Sequence, residues 1–128
     1  MPHLVLECSA NVPDQPDLHH VLRRLHDAMA TAGFDLANVK SRAVRHEAFR
    51  ARDGAPSWAF VHLEVLVLAG RETSMLRAAG EALLFVLREG FPRAAADGTC
   101  DFTVELREMR RDLYFKAAGP PDGGRAAG

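Results

Sequence analysis

Apolar and polar residues alternate along this chain at two different periods, and the switches between them mark out its elements. Leu4, Leu6 and Cys8 alternate with His3, Val5 and Glu7, which predicts a strand over about residues 3–8. Asn11 to Asp17 carries Pro13 and Pro16 and reads as a loop, with Asp17 placed as a helix N-cap. Leu18, Val21, Leu22, Leu25, Met29 and Ala32 then recur at helical spacing, with Arg23, Arg24 and Asp27 turned to water. Gly33 stands where a helix ends on glycine. A second strand is expected from Asn38 to Phe49, followed by a turn over Arg50 to Ser57 containing Asp53-Gly54 and Pro56. Trp58 to Leu68 is the strongest strand in the chain, with Val61, Leu63, Val65 and Val67 on one face. Gly70 breaks it. A second helix is predicted over about Glu72 to Phe91, carrying Met75, Leu76, Ala79, Leu83, Val86 and Leu87. Gly98 opens a turn, Cys100 to Arg107 alternates again, and Leu113-Tyr114-Phe115 reads as a short edge strand.

Both halves follow one plan of strand, long helix, glycine turn and strand. The expected fold is therefore α/β (α+β): two βαβ units, near residues 1–50 and 58–108, forming one four-stranded sheet with two helices on one face. Residues 1–116 form a single domain in this reading, and the Ala-, Gly- and Pro-rich stretch 117–128 is a flexible tail. Two helices cover only one side of such a sheet. The other side, with Trp58, Phe60, His62 and Glu64 among its candidates, needs a cover, and association of subunits is the simplest one.

Charge and cysteine content narrow the function classes. Sixteen Lys+Arg against seventeen Asp+Glu leave no basic excess to neutralise phosphates, which argues against nucleic-acid binding. The longest apolar stretch, Val65 to Gly70, is too short to span a membrane, and no secretory leader is visible. Cys8 and Cys100 both fall in predicted strands and read as buried free thiols in a reducing cytoplasm.

Candidate chemistry begins at Pro2. Removal of Met1 would leave proline as the terminus, and its secondary amine, set at the head of a strand, can accept and deliver a proton without a cofactor. Such a base must be largely unprotonated near neutral pH, whereas an ordinary α-amine titrates at about 7.7–8.0. Burial and nearby cations both lower that value. A guanidinium about 6 Å away contributes roughly 2.8 kcal/mol at an effective dielectric of about 20, which is about two pK units. Lys40 and Arg42 share one face of the second strand, and Arg71 follows Gly70 near the start of the second helix. Each can hold an anionic substrate and depress the amine; each can equally be solvated surface charge. Arg45, on the other strand parity, is a weaker candidate. His62 and Glu64 share a strand face but lack further ligands at metal-site spacing, and read as a polar pair. His19, His20 and His26 read as helix surface, and no phosphate-binding glycine loop or Gly-x-Ser-x-Gly elbow is present.

Several segments together resemble a known family. Pro2-His3-Leu4-Val5-Leu6-Glu7-Cys8-Ser9 with Asn11, Val39-Lys40-Ser41-Arg42, Trp58-Ala59-Phe60-Val61-His62-Leu63, Ala69-Gly70-Arg71, Ala79-Gly80-Glu81 and Leu113-Tyr114-Phe115-Lys116 look like 5-carboxymethyl-2-hydroxymuconate Δ-isomerases of the tautomerase superfamily. The resemblance runs from Pro2 to about Lys116. It implies a homotrimer of paired βαβ units with sheets facing inward, a catalytic N-terminal proline at Pro2, and carboxylate-binding cations at Lys40 and Arg71 with Arg42 nearby. It further implies cofactor-free ketonisation of an anionic 2-hydroxy-2,4-dienoate to its 2-oxo-3-enoate in homoprotocatechuate breakdown. Lys40 departs from the arginine of the family pattern, and a point charge lacks the bidentate fork, so the identity of the acid bound is open. Other proline-dependent reactions of the superfamily, or a non-catalytic trimeric ligand-binding domain, are the alternatives.

Overall fold

In the computed structural model, which describes residues 1–117, four strands form one sheet in the order β2-β1-β3-β4. The strands are β1 (His3–Ser9), β2 (Lys40–His46), β3 (Ala59–Leu68) and β4 (Cys100–Met109). β1 runs parallel to β2 and β3 parallel to β4, while the central pair β1–β3 is antiparallel. The sheet thus consists of two βαβ units set head to tail, as expected. The helix α1 (Leu18–Thr31) makes the first crossover; α2 (Thr73–Gly90) and the short α3 (Pro92–Asp97) make the second. Among the described residues no helix is long and apolar enough to cross a membrane.

Alternation decides which side the helices cover. Leu4, Leu6, Cys8, Val61, Leu63, Val65 and Val67 point to one side and are almost fully buried. Val21, Leu25 and Met29 of α1 and Ala79, Leu83, Val86 and Leu87 of α2 close over them. Asp17 caps α1 as its position predicts, accepting from the His19 N–H at 3.0 Å. His26 departs from a plain surface reading: its Nε2 lies 2.7 Å from the Ser41 Oγ and ties α1 to β2.

Phe60, His62, Glu64 and Leu66 lie with Val5 and Glu7 on the side that no helix covers. This face is half-wet and laced with polar pairs: Glu7 with His46 at 2.7 Å, His62 with Thr103 at 2.6 Å, Glu64 with Arg107 at 3.3 Å. His62 and Glu64 therefore go to different partners. Trp58 precedes β3, under the Arg52 guanidinium at 3.9 Å.

Three boundaries differ from expectation, each for a local reason. β2 is shorter at both ends, because Asp35 caps a 3-10 turn over Leu36–Asn38 before it and the chain bends after His46. The second helix ends at Gly90, within a residue of its expected end, but a short helix the sequence reading did not include follows it. Pro92 disfavours helical geometry at Phe91, which sits at φ −131° and ψ 65°, and then starts α3 as its first residue. The edge strand expected at Leu113-Tyr114-Phe115 is absent. Arg111–Leu113 is a single 3-10 turn, and the chain from Tyr114 crosses the end of the sheet instead of pairing along it. Of the tail expected over 117–128, everything from residue 118 on lies outside the described residues.

The cap of α3 comes from far away in sequence. The Asp14 carboxylate, only 9 % exposed, accepts from the N–H groups of Arg93 at 3.0 Å and Ala94 at 2.8 Å. It pins the β1–α1 loop to the second βαβ unit. Asp14→Ala leaves both donors without that partner and is expected to lower unfolding stability by about 1–2 kcal/mol. Urea titration followed by circular dichroism measures it.

Candidate active site

The sheet has one end at which β1 and β2 begin and β3 and β4 finish, and Pro2 sits there, just ahead of β1 and fully buried. Its carbonyl accepts from the Lys40 N–H at 3.1 Å, so the start of β1 is fixed by ladder hydrogen bonding to β2. A cavity of about 410 Å3 opens at this point. Pro2 and Met1 form part of its wall, with Val67 and Leu68 from the end of β3, Phe34 from behind α1, Asn38 before β2, Arg71 before α2, and Arg111, Tyr114 and Lys116 from the C-terminal segment.

Charge sets this cavity apart. Arg71, Arg111 and Lys116 line it and no aspartate or glutamate does. A larger groove of about 630 Å3 between α2 and β4 has Arg77 and Arg107 offset by Glu81 and Glu108 around apolar Leu76, Leu84, Val104 and Leu106. That groove has no excess charge and no terminal amine, and the smaller cavity is the candidate site.

Arg71 is held flat. Its guanidinium carbon lies 4.2 Å from the centroid of the buried Phe34 ring, a cation–π stack, and Nη1 reaches the Met75 Sδ at 3.9 Å. Gly33 makes room for this arrangement. It has φ +106°, and a Cβ there would stand 3.2 Å from the Met75 methyl. The sequence element that ends α1 therefore also places the platform under Arg71.

The Met1 amine donates to the Asn38 carbonyl at 2.8 Å, and the Lys40 Nζ approaches the same oxygen at 3.5 Å. Burial, then repulsion from Lys40 and Lys116, holds this amine below the ordinary 8.0 of an α-amine. The surroundings at the head of β1 thus favour a neutral amine.

His3 lies beside this centre. Its Nε2 is 2.9 Å from the Tyr114 hydroxyl, and its Nδ1 faces the Arg42 guanidinium at 3.5 Å. Burial, then Arg42, the N-terminus and Lys40, push its pKa down, which keeps the ring neutral at pH 7.

The four residues singled out from sequence therefore separate. Pro2 and Arg71 meet in one cavity. Lys40 stands beside it, acting on the amine through space and through the Asn38 carbonyl. Arg42 is on the open sheet face against His3 and is not part of the cavity wall. Arg45 turns to the helix side, near the buried Cys8 thiol, whose pKa burial raises. Sequence reasoning missed Phe34, Arg111 and Tyr114 as site residues. Adjacent arginines at 110 and 111 gave no hint which one served the site, and Tyr114 was assigned to a strand that does not form.

A family model for 5-carboxymethyl-2-hydroxymuconate isomerase matches residues 2–119. The chain belongs to that family. It is an isomerase, and its fold is that of the tautomerase superfamily. A 5-carboxymethyl-2-hydroxymuconate Δ-isomerase of Escherichia coli is 29% identical over 117 residues, covering 91% of this chain and 93% of that protein. The crystal structure of a 5-carboxymethyl-2-hydroxymuconate isomerase from Deinococcus radiodurans R1 superposes with a TM-score of 0.84 at 29% identity, covering 91% of this chain and 88% of the other. A fused 4-OT symmetric trimer shares the fold at a TM-score of 0.74 and 20% identity, covering 92% of this chain and 94% of that one.

The Phe34 platform is testable by itself. Phe34→Leu keeps an apolar side chain but removes the ring face, and a contribution of about 0.5–1 kcal/mol corresponds to a two- to fivefold weaker Kd for a small dicarboxylate. Isothermal titration calorimetry reads that change directly.

Proposed function

We propose that this isomerase ketonises an anionic 2-hydroxy-2,4-dienoate of the 5-carboxymethyl-2-hydroxymuconate type, in homoprotocatechuate breakdown, with the Pro2 amine as its acid–base group. The observation that carries the reading is the cavity at the head of β1: Pro2 in its wall, among cations that no carboxylate offsets. Met1 is removed in this reading, which turns the Pro2 nitrogen from an amide into a secondary amine.

The steps balance without an external acceptor. Neutral Pro2 takes the proton of the 2-hydroxyl, and the oxygen electron pair forms the C2 carbonyl. The C2–C3 π bond becomes C3–C4, and the displaced C4–C5 pair takes the proton back from Pro2 at C5. The product is the 2-oxo-3-enoate. Arg71 binds a carboxylate on a fixed plane, and positive charge beside the 2-oxygen stabilises the dienolate that develops. Lys40 acts as a tuning charge on the base, a role a point charge fills as well as a fork does. Arg42 acts on His3 instead of on substrate.

The open sheet face belongs to the same proposal. Three copies pack with these faces inward and the helices outside. The uncovered Val5, Phe60 and Leu66, and the trimeric assembly of the fused 4-OT that shares this fold, support that arrangement.

Intact-mass spectrometry is expected to find a chain lacking Met1. Acylating that terminus then abolishes turnover without lowering Tm, whereas Pro2→Ala retains a primary amine and a residual rate. Full turnover by the acylated protein contradicts the reading.

The pH profile supplies a second test. The base works unprotonated, so kcat/KM falls as pH drops through its pKa, which burial and the neighbouring cations lower. Lys40→Met removes a charge that disfavours protonation, so the pKa rises and the limb moves to higher pH. An unmoved limb excludes Lys40 as the tuning charge.

A further inference from the structure

We infer that Arg111, assisted by the Tyr114 hydroxyl, is a second carboxylate seat, distinct from Arg71, that makes the cavity selective for substrates with more than one carboxylate. The inference rests on the isomerase reading for its substrate class, but its geometry stands on this chain alone.

The C-terminal segment is clamped over the cavity by both sides of one residue. The Ala69 N–H donates to the Met109 carbonyl at 2.9 Å, and the Ala69 carbonyl accepts from the Arg111 Nε at 2.6 Å. Gly70, at φ +118°, turns the chain immediately after it, a geometry open to glycine. With Nε engaged, the two terminal nitrogens of Arg111 remain as a fork for an incoming carboxylate.

The two neighbouring arginines are used differently. Arg110 is satisfied by Asp112 through a bidentate pair at 3.1 and 2.7 Å. Among the described residues no carboxylate lies within 4.0 Å of Arg111, Arg71 or Lys116. Arg111 lines the cavity, and Arg110 does not.

Tyr114 adds a donor. Arg42 has only protons to offer the His3 Nδ1, so that nitrogen carries the lone pair and the proton resides on Nε2. His3 then donates to the Tyr114 oxygen at 2.9 Å, which leaves the phenolic O–H to donate into the cavity that Tyr114 lines. His3 and Arg42 are positioning residues in this scheme, and they act through Tyr114.

Calorimetric titration of the full-length protein with two unreactive probes, adipate and hexanoate, tests the seat apart from turnover. The wild type is expected to prefer adipate. Arg111→Gln should weaken adipate binding roughly tenfold or more while hexanoate changes less than twofold, and Tyr114→Phe should weaken adipate about threefold. Arg111→Lys should recover part of the adipate affinity. In kinetics, the kcat/KM ratio of 2-hydroxymuconate over 2-hydroxypenta-2,4-dienoate should fall about tenfold in Arg111→Gln. Equal loss for both probes, with a lowered Tm, would mark Arg111 as a structural clamp and overturn the inference, as would unchanged adipate binding. A wild type that binds adipate through Arg111 yet turns over neither dienol leaves the seat standing and removes the isomerase substrate assignment instead.

Discussion

Uncompensated positive charge at the head of β1 is the constraint on which this molecule turns. Arg71, Arg111 and Lys116 share a cavity that holds no acid, with Lys40 close by. Such a cluster repels itself, and neighbouring groups hold Arg71 and Arg111 in place against that repulsion. The same repulsion favours a neutral amine at the terminus. In the proposed function, one electrostatic feature serves binding and acid–base chemistry together.

Holding those charges in place is the work of the scaffold. The helix side of the sheet is nearly dry, from Leu4 and Leu6 across Val61 to Val67, and this rigid floor fixes where β1 begins. Phe34 and Met75 support Arg71, while Ala69 restrains Arg111. Each support belongs to a segment that joins the core elements. The charges are thus mounted on loops, but on loops whose ends are buried or tied.

Head-to-tail pairing of the two βαβ units also means that only one end of the sheet carries a chain terminus. The unit that starts at Ala59 enters the sheet from inside the chain, with its N–H donating to the Thr99 carbonyl at 3.0 Å. No free amine is available there. The pseudo-symmetric partner of the cavity end is instead occupied by Asn11, whose Nδ2 bridges the carbonyls of Pro56 and Trp58 at 2.9 and 2.7 Å. Two like units build the sheet, and only one end of it meets the chain terminus.

By itself the sequence determined the strands, the two long helices, the paired βαβ plan and the side of the sheet that would be buried, because period and residue type act locally. It also pointed to Pro2 and Arg71, since a terminal amine and a glycine-flanked cation are recognisable where they stand. What only the tertiary structure decided was which charges share a space. Lys40 and Arg42 lie two apart on one strand face, yet register against β1 sets the first beside the amine and the second against His3. Arg110 and Arg111 are adjacent, yet Asp112 takes one while the Ala69 carbonyl turns the other into the cavity. The alternation that identifies a strand carries no information about contacts some forty residues apart or more, and those contacts shape the cavity.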